Sequence, residues 1–121
     1  MERMKQFSES FACAFRGLVY TFKNEKNFQN ELAVGFLVVI AMIYFEITRA
    51  EVVVLVLVVM GVLIMELLNT VMERIVDILK PRVHPYARLI KDLMAAGVLL
   101  CSLLAIIVGM LIFIPYVIKS F

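Results

Sequence analysis

The sequence predicts an all-α membrane protein: an N-terminal amphipathic surface helix followed by three transmembrane helices. Three observations carry this reading. Of the 121 residues, 64% are hydrophobic and only 18% charged, with a mean hydropathy of +1.00; a soluble domain is nearer half apolar and a quarter charged. Fourteen apolar residues, Val52 to Met65, follow one another without interruption, which suits only a membrane or a large core. At roughly 40 residues per span with connections, the length leaves room for no more than three spans. A chain this small encloses no deep site alone, so an oligomer is expected. The net charge of +2 gives no indication of a nucleic-acid partner. Cys13 and Cys101 lie in different hydrophobic segments and suggest no disulfide framework. Thirty mixed residues precede the first apolar run, so no cleavable signal peptide is expected.

Residues 1–24 carry Met4, Phe7, Phe11, Phe15, Leu18 and Phe22 every three or four positions, with Lys5, Gln6, Glu9, Arg16 and Lys23 mostly elsewhere. An aromatic stripe flanked by cations reads as a helix lying in the membrane interface, or packed on its own bundle. Asn24 to Asn30 is polar and reads as the turn into the bilayer, with Glu31 the last charge before span one. The apolar run Leu32 to Phe45 covers only about 21 Å at 1.5 Å per residue, so polar ends must enter the interface. The first transmembrane helix is therefore expected over about 28–46. Glu46 to Glu51 is a short link, and the second helix is expected over about 50–79. Pro81 and Pro85 break it, and residues 80–88 read as a basic loop. The third helix is expected over about 86–118, with Pro115 near its end. Within it Gly97, Cys101, Ala105 and Gly109 recur at intervals of four, a stripe that lets membrane helices approach closely. The whole chain is one membrane-embedded domain, 1–121.

Ten of the twelve basic residues precede span one or surround the 80s loop; only Arg49 and Lys119 lie on the other side. That bias places the N-terminus and the 80s loop in the cytoplasm. The candidate chemistry gathers there. Glu66, Asn69, Glu73 and Asp77 follow the apolar run in steps of three, four and four, on one stripe of a helix. Ionisable groups near hydrocarbon persist when paired, metal-bound or functional. Three carboxylates and an amide suit a cation or a metal–phosphate complex, or else a polar seam gluing helices together. Glu25 and Glu31 approach the same level from span one, Lys91 and Asp92 from span three. Arg74, between Glu73 and Ile75, is expected to point to lipid headgroups. The chain has no GxxxxGK[ST] and no GxGxxG, so a nucleotide would have to be held by metal and side chains.

The pattern Glu66-Leu67-Leu68-Asn69-Thr70, Glu73 and Asp77, then His84 and Lys91-Asp92, with Asn24-Glu25-Lys26-Asn27-Phe28 and Glu31 upstream, resembles the small prokaryotic diacylglycerol kinase family, which includes the undecaprenol kinases of Gram-positive bacteria. The resemblance runs from about Phe11 to Pro115. It implies a homotrimer in the bacterial cytoplasmic membrane, with active sites on the cytoplasmic side shared between chains, and transfer from Mg²⁺-bound ATP to a membrane lipid hydroxyl. By the match, Glu66 resembles the catalytic base and Glu25 with Glu73 the metal-holding pair, which also meets the nucleotide. Lys91 resembles a phosphate contact and His84 a nucleotide contact. Asn69, Glu31, Asp77 and Asp92 match supporting positions. Chemistry agrees: phosphoryl transfer needs charge neutralisation and an oriented nucleophile, and a carboxylate poorly hydrated beside hydrocarbon is an avid proton acceptor.

Two details lean toward undecaprenol as the acceptor. His84-Pro85, Ala87 and Lys91-Asp92 are similar to the H-P-x-A-x3-K-D loop of that branch, and Ile112-Phe113-Ile114-Pro115 is similar to its closing I-F-x-P. Diacylglycerol is the alternative acceptor. A non-enzymatic membrane subunit whose polar stripe lines a seam is a reading of another class. It predicts an intact Glu66→Gln variant and no ATP turnover.

Overall fold

The computed structural model describes residues 1–79 and 84–121, with the side chain of His84 left out. Among them the chain is all α: α1 (Glu2–Asn24), α2 (Lys26–Phe45), α3 (Arg49–Leu79) and α4 (His84–Ser120). The last three are long and apolar enough to cross a membrane. Their apolar side chains remain largely exposed: Leu57 is 67% and Leu111 72% accessible, as lipid-facing positions must be.

Three contacts fix α3 and α4 as an antiparallel pair. Asp77 meets Lys91 at one end, Met65 meets Gly97 in the middle, and Glu51 accepts the Tyr116 hydroxyl at the other end. A Cβ on Gly97 would come within 2.9 Å of Met65 Cε, so the small-residue stripe does bring α4 close to α3 there. Gly109, on the same stripe, has nothing within 4 Å of such a Cβ among the described residues. It lines an apolar furrow of about 640 Å³ bounded by α2, α3 and α4, with Glu31 at its rim. α2 runs antiparallel to α3, packed so closely that a Cβ on Gly35 would come within 3.1 Å of Val59 Cγ1.

Several boundaries differ from the sequence reading. Polar residues 26–30 are helical rather than a turn; the turn is Glu25 alone, φ −110° and ψ 109°. Phe28, 4% exposed, anchors the first turn of α2. Gln29 Nε2 donates to the Phe22 carbonyl at 2.6 Å, satisfying one of the free carbonyls at the end of α1. The link between α2 and α3 shortens to residues 46–48. Thr48 and Glu51 form a capping box there. The Glu51 backbone donates to Thr48 Oγ1 at 3.3 Å, and Glu51 Oε1 accepts from the Thr48 backbone at 3.0 Å. α4 begins at His84, two residues before the start expected for the third helix, so 84–88 belong to the helix and not to the basic loop. Pro85 fits because the first turn of a helix needs no amide donor. Pro115 lies inside α4. Residues 80–83 of the expected basic loop lie outside the described residues.

Candidate functional site

The polar ends of α2, α3 and α4 meet where α1 joins α2. Glu66 is the deepest charged group, 2% exposed, one residue past the apolar run. Its carboxyl lies beside Glu31 and the Asn27 side chain, with Glu73 and Glu25 as further acidic neighbours. Two ionised carboxylates are both acceptors, and Glu31 Oε2 is buried with no hydrogen-bond partner among the described residues. Repelling carboxylates held this close are the natural place for a proton in transit or a cation.

The next turns of α3 continue the stripe. Thr70, buried, donates to the Glu66 carbonyl at 3.0 Å. Asn69 Nδ2 donates to Glu73 Oε1 at 3.2 Å, orienting that carboxylate. Glu73 stands two turns, about 10 Å, outward from Glu66. Arg74 does not turn to headgroups: Nη2 donates to Glu25 Oε1 at 2.6 Å and Nε to the Tyr20 hydroxyl at 3.4 Å. Beyond Arg74, Asp77 Oδ1 accepts from Lys91 Nζ at 2.9 Å, so these two stand together at the outer rim. Asp92 is exposed. The expected nucleotide contact of the His84 side chain lies outside the described residues.

The sequence-predicted residues thus separate into an inner group, Glu25, Glu31, Glu66, Asn69 and Glu73, and an outer pair, Asp77 with Lys91. Asn27, Tyr20 and Arg74 join the inner group without having been assigned to it. Asn27 was signalled by its place between Glu25 and Glu31; Tyr20 and Arg74 carried no spacing signal.

The donor set fits Mg²⁺, since hard carboxylate and amide oxygens are what that ion takes. Among the described residues no three acidic, His or Cys side chains close on one point as a ready-made metal cage. Glu25, Glu73 and Asn69 could therefore hold the ion only with phosphate and water completing its shell, the usual arrangement for Mg²⁺.

Residues 12–113 match the family described as prokaryotic diacylglycerol kinase. The chain is similar to an undecaprenol kinase of Bacillus subtilis, 35% identical over 112 residues, 93% of this chain and 91% of that one. It is also similar to a diacylglycerol kinase of Synechocystis, 36% identical over 107 residues, 88% of this chain but 61% of that one. Both relatives are enzymes and both match almost end to end of this chain, which overturns the non-enzymatic reading of the polar stripe. With three membrane-crossing helices, a buried carboxylate at the foot of the Val52–Met65 run and this relationship, the chain belongs to the prokaryotic diacylglycerol kinase family and is a multi-pass membrane lipid kinase.

Proposed function

We propose that the protein transfers the γ-phosphoryl group of ATP to the hydroxyl of undecaprenol. It would do so with Mg²⁺, as a homotrimer, at the cytoplasmic face of the bacterial cell membrane. The observation that carries the reading is the placement of Glu66: almost fully buried, at the boundary between apolar run and carboxylate group. A lipid hydroxyl rising from the bilayer meets Glu66 before any other α3 carboxylate. The furrow rimmed by Glu31 offers a stretch of apolar tail a place alongside. Glu66 accepts the hydroxyl proton as the alcohol oxygen bonds to the γ-phosphorus. The bond from that phosphorus to the β–γ bridging oxygen breaks, and ADP leaves. Asn69 holds Glu73 in place, and Lys91 offers a positive charge to the phosphates from the outer rim. When bound between Glu25 and Glu73, Mg²⁺ would neutralise charge on the phosphate oxygens. The lean toward undecaprenol rests on the end-to-end similarity with the Bacillus enzyme and on the His84-Pro85 and Ile112-to-Pro115 patterns. The partial match to the Synechocystis enzyme favours diacylglycerol as the second reading. Cytoplasmic placement follows the basic-residue bias, and the unfilled half of the α4 stripe suits a neighbouring copy.

The test is ATP-dependent phosphorylation by purified protein in mild detergent, with undecaprenol and diacylglycerol presented at matched mole fractions. Undecaprenol is expected to give the higher kcat/KM. Preference for diacylglycerol would reassign the substrate, and turnover of neither would refute the site. A fully active monomer by mass measurement would refute the shared trimeric site.

A further inference from the structure

Arg74 is the one cation in direct contact with the inner group among the described residues. It sits one residue past Glu73, about 100° further round α3, so its guanidinium leaves the carboxylate stripe and reaches the α1–α2 joint. Its partners lie on the last turn of α1, Tyr20, and on the single residue between α1 and α2, Glu25. The contact joins residues 49 apart in sequence. The Glu25 side chain is 18% exposed and that of Arg74 46%, so the carboxylate is largely sheltered and the cation reaches in from outside. The guanidinium bonds only Oε1 of Glu25. Metal-ligating carboxylates are commonly fixed in this way, by an outer donor on one oxygen that leaves the other for the ion.

We propose that Arg74 is a positioning residue for the metal site: by holding Glu25 Oε1 and the Tyr20 hydroxyl, it docks the α1–α2 joint on α3 and sets the second oxygen of Glu25 in place for the cation. This rests on the Glu25–Glu73 metal pair proposed above. Arg74 does not touch the reacting atoms, so its loss weakens the metal and spares the chemical step.

The experiment uses the full chain in detergent as wild type, Arg74→Ala, Arg74→Lys and Tyr20→Phe. Mn²⁺ binding is read by electron paramagnetic resonance with a non-hydrolysable ATP analogue, and Mg²⁺ is titrated in the kinase assay. Losing an outer-sphere partner typically weakens metal binding about 10–100-fold. Arg74→Ala is expected to raise the half-saturating metal concentration by that factor in both measurements, with kcat at saturating metal within about threefold of wild type. Arg74→Lys, a cation without the planar fork, recovers part of the affinity, and Tyr20→Phe loses less than Arg74→Ala. Wild-type Mn²⁺ affinity in Arg74→Ala would overturn the proposal. So would a fall in kcat at unchanged metal dependence. Should Arg74→Ala fail to fold, Arg74→Gln, which keeps N–H donors without the charge, carries the same two readings. A wild-type protein that binds Mn²⁺ and phosphorylates lipid while Arg74→Ala matches it sinks only this role. A wild-type protein that does neither sinks the metal site itself and this role with it.

Discussion

Glu66→Gln is expected to leave the protein at least as stable as wild type and nearly inactive. Glu66 is 2% exposed and faces Glu31, whose buried Oε2 has no hydrogen-bond partner among the described residues. Glutamine keeps the size of the side chain and an oxygen for Asn27, and it adds an N–H that can donate to Glu31 Oε2. A buried acceptor left unsatisfied costs about 1–3 kcal/mol, so the folded state gains up to that amount. One negative charge also leaves a crowded group of carboxylates. Catalysis moves the other way. Glutamine accepts no hydroxyl proton, and losing a general base typically costs a factor of about 10²–10⁴, or about 3–5 kcal/mol of transition-state stabilisation. ATP binding, assigned mainly to Glu73, Glu25 and Lys91, should change less than about tenfold. The assay pairs a thermal melt with steady-state kinetics on saturating lipid. A variant retaining more than about a tenth of wild-type kcat would remove Glu66 from the base role. A melting temperature falling together with kcat would point to damage of the fold instead.

Four further outcomes follow from the same geometry. Glu25→Gln and Glu73→Gln should each raise the Mg²⁺ requirement and cut turnover heavily while the fold survives; wild-type magnesium titrations in both would remove the pair from the metal site. Asp77→Asn breaks an ion pair whose side chains are 52% and 39% exposed, worth at most about 1 kcal/mol, so its kcat should fall far less than that of Glu66→Gln; an equal fall would shift the base role outward. Tyr116→Phe deletes the hydroxyl that Glu51 accepts at the opposite end of the bundle, and is expected to lower the melting temperature slightly with kcat unchanged, so a kinetic defect would couple the two ends. Glu46 holds φ 50°, a left-handed conformation costing a non-glycine residue about 1–2 kcal/mol, and Glu46→Gly should raise the melting temperature; a lower one would mean that the Glu46 side chain contributes more than its backbone strain.

The helices were legible because their apolar runs are long and their interruptions few. Lipid as solvent leaves the chain little other choice. What the sequence concealed were contacts set by where side chains land across elements. The polarity of the run Asn24 to Asn30 suggests a turn, yet Phe28 and Gln29 tie it into helix on both sides of Glu25. The Thr48–Glu51 capping box has a signal in the sequence, T-x-x-E, which starts α3 before the polar link ends. The acidic stripe Glu66, Asn69, Glu73 showed itself by period alone, since one helix carries it. The basic-residue bias brings Glu31 and Glu25 to the same level, but only the family resemblance gives Glu25 a part in the metal site, because no spacing rule connects either residue to α3. Arg74 meets Glu25 and Tyr20 instead of headgroups because helical period says which way a residue leaves its own helix and nothing about what waits there.

The joint between α1 and α2 has a mechanical consequence. With Glu25 as the only non-helical residue between them, α1 is a lever of 23 residues, about 34 Å long, swinging on a fulcrum two dihedral angles wide. A carboxylate at the fulcrum moves least. A displacement of about 5 Å at the Met1 end is a rotation of about 8°, and it shifts a group about 4 Å from the joint by only about 0.6 Å, for a helix of this rise. Motion that rocks the outer end of the aromatic stripe therefore reaches Glu25 reduced nearly tenfold.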